Sequence, residues 1–186
     1  MARISLDPPR SLLTRFVAWY SRRRYGAVLE PLAAMGHNPR VLFAGGRYEQ
    51  RIARWNAVDP ALKQLAVMVS AARIGCSWCM DFGHWEAEKL GLPMEKVRHV
   101  PAWRDHRELF GALELLVMEF AEVMTETPPE VTDELVAELV DRLGERAFVE
   151  LMAMVAVENH RSRINAALGL TGQGFSDRCS VPLPGA

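Results

Sequence analysis

Residues 65–91, LAVMVSAARIGCSWCMDFGHWEAEKLG, decide how the chain folds. Leu62, Leu65, Ala66, Val69 and Ala72 recur at the spacing of one buried helix face. Asp59 can cap the helix start, and Pro60 suits the first helical position, where its missing N–H is not needed. Gly75 is suited to the left-handed residue that ends a helix. A second helix starts at Cys76 and reaches Leu90, with Gly91 as its stop. The spacing thus predicts an antiparallel helix pair, 60–74 and 77–90, with a Cys-x-x-Cys pair at the start of its second member.

Helical patterning continues outward in both directions. Helices are expected over about 10–24, through Leu29 and Met35, and over 39–56, the last weakened by Gly45 and Gly46. Downstream, a short helix over 93–100 is stopped by Pro101. Longer ones follow over 107–125, from Thr132 to Leu143, and over 145–168. Few runs alternate apolar and polar residues, so strands are not expected. The fold class is all-α, a helical bundle. Residues 1–58 form an N-terminal helical extension expected to pack on the core, 59–170 form the core, and 171–186 form a tail of loop character.

The 186 residues suffice for a sizeable core, and the 49% hydrophobic and 24% charged fractions are ordinary for a globular protein. A net charge of −1 gives no reason to expect nucleic acid or an anionic membrane as partner. The run Arg22–Arg23–Arg24 reads as a solvated helix end. The opening MARISLDPPRSLL lacks a signal-peptide pattern, and the apolar stretches are too short for a bilayer, so a cytoplasmic location is expected.

Three cysteines in such a compartment do not make a disulfide scaffold. Cys76 and Cys79, three apart, read as redox or metal chemistry, and Cys179 as incidental. Zinc needs two more ligands, yet there is no second Cys-x-x-Cys and the five histidines are scattered. No metal and no cofactor are therefore expected. Cysteines three apart in a helical turn can reach disulfide distance. The unpaired N–H groups and positive dipole end of a helix start favour thiolate over thiol. The plain alternative is a pair of buried, inert cysteines.

The stretch from Leu65 to Gly91 resembles the carboxymuconolactone decarboxylase / alkyl hydroperoxidase D-like family: an apolar helix, a glycine, Cys-x-aromatic-Cys, and a helix ending at Gly91. The later segments ELLVMEFAEVMTETPPEVTDELV and ENHRSRINAALGL resemble its peroxidase-related branch, so the likeness covers roughly residues 58–170. The resemblance implies an all-α fold and homo-oligomers. It also implies that Cys79 attacks a peroxide to become a sulfenic acid, and that Cys76 donates a proton and resolves it to a disulfide. An external dithiol then restores the pair.

Two positions depart from the family's proton relay. Its glutamate, twelve residues before the first cysteine, is Gln64 here, and its histidine, four residues after the second, is Gly83. His84 comes one residue later. At about 100° per residue, Gly83 lies about 40° round the helix from Cys79 and His84 about 140°. His84 is therefore expected to be a surface or partly buried residue without a catalytic role.

Among other candidates, Asp81 is expected to be solvated or to stabilise the helix start. Trp78 is expected either to floor a pocket above the sulfurs or simply to pack, and Phe82 and Trp85 to pack. Leu151, Val155, Glu158, Ser162 and Asn165 share a face that turns from apolar to polar. This face is readable as a pocket wall, a subunit contact, or an ordinary Glu158–Arg161 ion pair. Glu114, Glu119 or Glu122 could bring a replacement base to the dithiol.

The function expected is a thiol-dependent oxidoreductase that reduces a peroxide through Cys76 and Cys79. The alternatives are a decarboxylase or isomerase acting on a small organic acid without thiol chemistry, and a non-catalytic binding protein.

Overall fold

The structure, a computed structural model, describes residues 2–178. Cys179 and the second half of the expected tail, 179–186, lie outside the described residues. The described residues are helical with no strand, as expected. They form α1 (Leu12–Tyr25), α2 (Glu30–Met35), α3 (Pro39–Ile52), α4 (Pro60–Ile74), α5 (Ser77–Lys89) and α6 (Met94–His99). A 3-10 stretch, Val100–Leu109, leads to α7 (Ala112–Thr125), α8 (Asp133–Leu143) and α9 (Glu145–Leu168). No helix among them is long and apolar enough to cross a membrane.

The chain divides into two compact units: Met1–Trp55 with Ala167–Thr171, and Asn56–Ala166 with Gly172–Ala186. In the first, Asn38 caps α3 by accepting from the Arg40 and Val41 N–H groups. Gly45 and Gly46 remain helical, but α3 ends at Ile52, short of the expected Asn56. There the hydrogen bonds tighten to three-residue spacing, Arg54 N–H to Arg51 and Trp55 N–H to Ile52.

The second unit holds the dithiol. Asp59 caps α4 through bonds of 2.8 Å and 3.3 Å to the Ala61 and Leu62 N–H groups. Residues 64–71 of α4 are all buried, because this helix packs against both α5 and α7. Gly75, at φ 79°, makes the turn into α5, a conformation that a side chain would strain.

Helix α7 begins at Ala112, five residues later than expected. Ala102 and His106, at φ −123° and −130°, leave helical geometry, and Gly111 becomes the cap, with its N–H bound to Glu114. The core is built from Met68, Val69, Val117, Phe120, Leu139, Leu151 and Val155. Helix α9 thus reaches the core with its first half. Its second half buries Glu158, Ser162 and Asn165 instead.

Candidate redox site

Cys76 is the N-cap of α5, and its Sγ accepts the Cys79 N–H at 3.2 Å, as a serine hydroxyl would at this position. The two cysteines form a disulfide, with Cα atoms 5.3 Å apart. Both are buried.

Helix α9 supplies the polar surroundings of Cys79. Ser162 Oγ lies 3.3 Å from Cys79 Sγ and donates to Glu158 Oε1 at 2.8 Å. Asn165 Nδ2 donates to Cys79 Sγ at 3.3 Å and reaches Cys76 Sγ at 3.9 Å. Positions 158, 162 and 165 fall on one helix face, so a single rod aims all three at the sulfurs. Burial pushes the Glu158 carboxyl up to about 7; Arg161, 3.5 Å away, and the Ser162 hydroxyl pull it down, while Glu86 adds to the rise. The Glu158–Arg161 ion pair therefore exists, but it is half of the arrangement. The other half is the Ser162 hydroxyl, which touches both Glu158 and Cys79 Sγ.

The two relay positions meet one another instead of the sulfurs. Gln64 is buried and donates through Nε2 to the Gly83 carbonyl at 2.8 Å. A Cβ on Gly83 would come within 3.2 Å of Met68 Cγ and 3.4 Å of Gln64 Nε2, so any side chain here would require these two to shift. His84 is not at the surface. It is wholly buried, neither ring nitrogen has a hydrogen-bond partner, and neither sulfur is bonded to it. Burial first, and the Arg98 charge second, hold its pKa down, which keeps it neutral.

Asp81 is not solvated either. It is buried and accepts the N–H groups of Gln173 (2.7 Å), Phe175 (3.1 Å) and Ser176 (2.7 Å), and the Ser176 hydroxyl at 2.7 Å. Burial acts to raise its pKa, but these four bonds outweigh it and hold the carboxyl below its ordinary value. Residues 172–176 are thereby strapped along α5. Phe175 seats among Trp78, Phe82 and Trp85, and Trp78 stacks on Phe82 while its indole N–H reaches Gln173. Trp78 thus packs rather than flooring a pocket.

No sequence signal marked this strap. The glycines at 172 and 174 read only as loop; Gly174, at φ 72°, takes a left-handed turn within the strap. Beside it is a groove of about 540 Å³ bounded by Gly75, Cys76, Met80, Pro101, Gly174 and Asp177. The groove reaches Cys76, whereas Cys79 faces α9. Glu114 is held by Lys96, and Glu122 by Arg104; neither these nor Glu119 bonds a sulfur. No cluster of three metal-ligating side chains occurs among the described residues.

No protein-family model matches the chain. Its fold is shared with a cysteine-to-alanine variant of the debrominase Bmp8 in complex with 2,3,4-tribromopyrrole (TM-score 0.80, 20% identity, 94% of this chain and 95% of that one). It is also shared with an uncharacterized peroxidase-related protein from Silicibacter sp. TM1040 (TM-score 0.79, 15% identity, 91% and 89%). The uncharacterized protein YdfG of Bacillus subtilis (strain 168) is 22% identical over 121 residues, 64% of this chain and 82% of that protein. The uncharacterized protein YnjA of Escherichia coli (strain K12) is 32% identical over 179 residues, 94% of this chain and 96% of YnjA. At that identity and near-complete mutual coverage, the chain belongs to the same family as YnjA.

Proposed function

We propose that the chain is a thiol-dependent oxidoreductase of the alkyl hydroperoxidase D-like type that reduces peroxides. The observation that carries this reading is the Cys76–Cys79 disulfide at a helix start, with the Asn165 amide and the Ser162 hydroxyl converging on Cys79 Sγ. After reduction, the same two groups stabilise a Cys79 thiolate, and the Cys79 N–H favours the Cys76 thiolate that forms once Cys76 has given up its proton. Cys79 attacks the terminal oxygen of a hydroperoxide. An S–O bond forms, the O–O bond breaks, and the departing alkoxide takes the Cys76 proton. Cys76 thiolate then attacks the sulfenic sulfur, forming the disulfide and releasing hydroxide, which leaves as water. An external dithiol returns two electrons and two protons. Because the groove reaches Cys76, the incoming thiolate attacks there and Cys79 is the leaving sulfur.

The test is peroxide consumption with dithiothreitol as reductant, together with mass spectrometry of the protein after one equivalent of peroxide. The expected result is a Cys76–Cys79 bond and turnover that falls at least a hundredfold in Cys79→Ser. Thiols that stay reduced while peroxide persists would sink the reading. A second reading follows from the fold shared with debrominase Bmp8: reductive removal of halogen from a bromopyrrole. This needs the same two electrons, the aromatic C–Br becoming C–H with release of bromide and one proton as the dithiol becomes a disulfide. Offering 2,3,4-tribromopyrrole and a peroxide to the same reduced protein separates the two.

A further inference from the structure

We propose that Glu158 takes and returns the Cys79 proton through the Ser162 hydroxyl, supplying from α9 the acid–base function that Gln64 and Gly83 cannot supply. The proposal rests on the dithiol reading above. A hydroxyl offers one proton and two lone pairs, and Ser162 Oγ touches both the Glu158 carboxyl and Cys79 Sγ. In the reduced protein the thiol can donate to Ser162 while Ser162 donates to a Glu158 carboxylate. A shift of both protons leaves a thiolate accepting from Ser162 and a protonated Glu158, with every donor still matched to an acceptor.

The position of Glu158 suits the role. It is 2% exposed, so its proton exchanges along this path in preference to solvent. The charged groups facing it are Arg161 on its own helix and Glu86 on α5. They oppose one another, and burial leaves the carboxyl titrating near 7, where it can both accept and release a proton.

In the cycle, Cys79 loses its proton to Glu158 and attacks the peroxide. The Cys76 proton goes to the alkoxide. When Cys76 attacks the sulfenic acid, the hydroxide leaves from Cys79 Sγ, within reach of Ser162, and the proton held on Glu158 completes the water. Each proton that leaves a thiol is thus accounted for, with a hydroperoxide as oxidant and an external dithiol as reductant. Ser162 touches the reacting sulfur and is a catalytic residue; Glu158 acts through it.

The experiment needs no peroxide for its first arm. The reduced full-length protein is alkylated with iodoacetamide across the pH range, and the rate at Cys79 is read by peptide mass spectrometry. Because Glu158 and Cys79 share a proton, two ionisations are expected in the reduced wild type: a first rise to a plateau and a second rise at more alkaline pH. Glu158→Gln should show a single rise. In the second arm, disulfide formation after one equivalent of hydrogen peroxide should slow at least tenfold in Glu158→Gln and in Ser162→Ala. Ser162→Thr, which keeps the hydroxyl, should restore it.

A single ionisation shared by wild type and Glu158→Gln overturns the proposal, whatever peroxide does. Two ionisations in a wild type that ignores peroxide overturn the peroxide reading and leave the relay standing.

Discussion

Two buried carboxylates flank the dithiol, and they titrate in opposite directions. Asp81 lies on the strap side of α5 and Glu158 on the α9 side. Burial pushes both upward. Asp81 receives four donors, three of them backbone N–H groups, and stays ionised. Glu158 receives one hydroxyl and an arginine 3.5 Å away, and rises to about 7. Deeper burial with fewer donors leaves Glu158 able to move a proton, while four donors make Asp81 a fixed anchor. The contrast extends to Gln64, at the third polar position near the site. It is neutral, and its amide is used up on the Gly83 carbonyl.

The largest expected effect falls on Glu158. In the unfolded chain it ionises from its ordinary value of 4.5, while the folded chain keeps the proton until about pH 7. Stability is therefore unaffected by this group below pH 4.5, falls between 4.5 and 7, and stays lowered above. The loss integrates to about 3 kcal/mol. Urea denaturation of oxidised Glu158→Gln should show it gaining about that much on the wild type between pH 4 and pH 8. A difference independent of pH would break the contrast.

Asp81 behaves with the opposite sign: its stabilisation is present above its unfolded pKa and is lost as pH falls through its lower folded value. Asp81→Asn should cost about 2–3 kcal/mol at pH 7, with faster proteolysis near residues 172–176 and a deficit that shrinks in acid. Gln64→Glu tests whether a donor-poor carboxylate always follows Glu158. It would set an oxygen against the Gly83 carbonyl, so a loss of about 2 kcal/mol at pH 8 and little in mild acid is expected, without gain in peroxide turnover. The smallest effect is Ser176→Ala, about 1 kcal/mol, because Asp81 keeps its three backbone donors.

The sequence shows the helices around the site because their signals are local. Asp59–Pro60 starts α4, Gly75 ends it, and Cys76 opens α5, all read from adjacent residues. The later start of α7 follows Gly111, a glycine that serves as a helix N-cap without a side chain to signal it. At the site, spacing along α9 exposes the face of Glu158, Ser162 and Asn165. What that face meets lies 83 residues away, as the Ser162–Cys79 contact shows. The burial of Asp81 and His84 is hidden from the sequence for the same reason. A residue's burial depends on which segment lies over it, and the strap over Asp81 comes from 92–95 residues downstream.

Helix α9 is also a lever. Leu151 and Val155 are clamped in the core, and Ser162 sits on the same rod about 16 Å beyond Leu151 at 1.5 Å per residue. A small tilt at the clamped end is carried along that arm to the hydroxyl beside Cys79. Trimming Val155 to alanine should thus change the sulfur chemistry at a distance, so that the repacking of an apolar core sets the tuning of a redox couple it never touches.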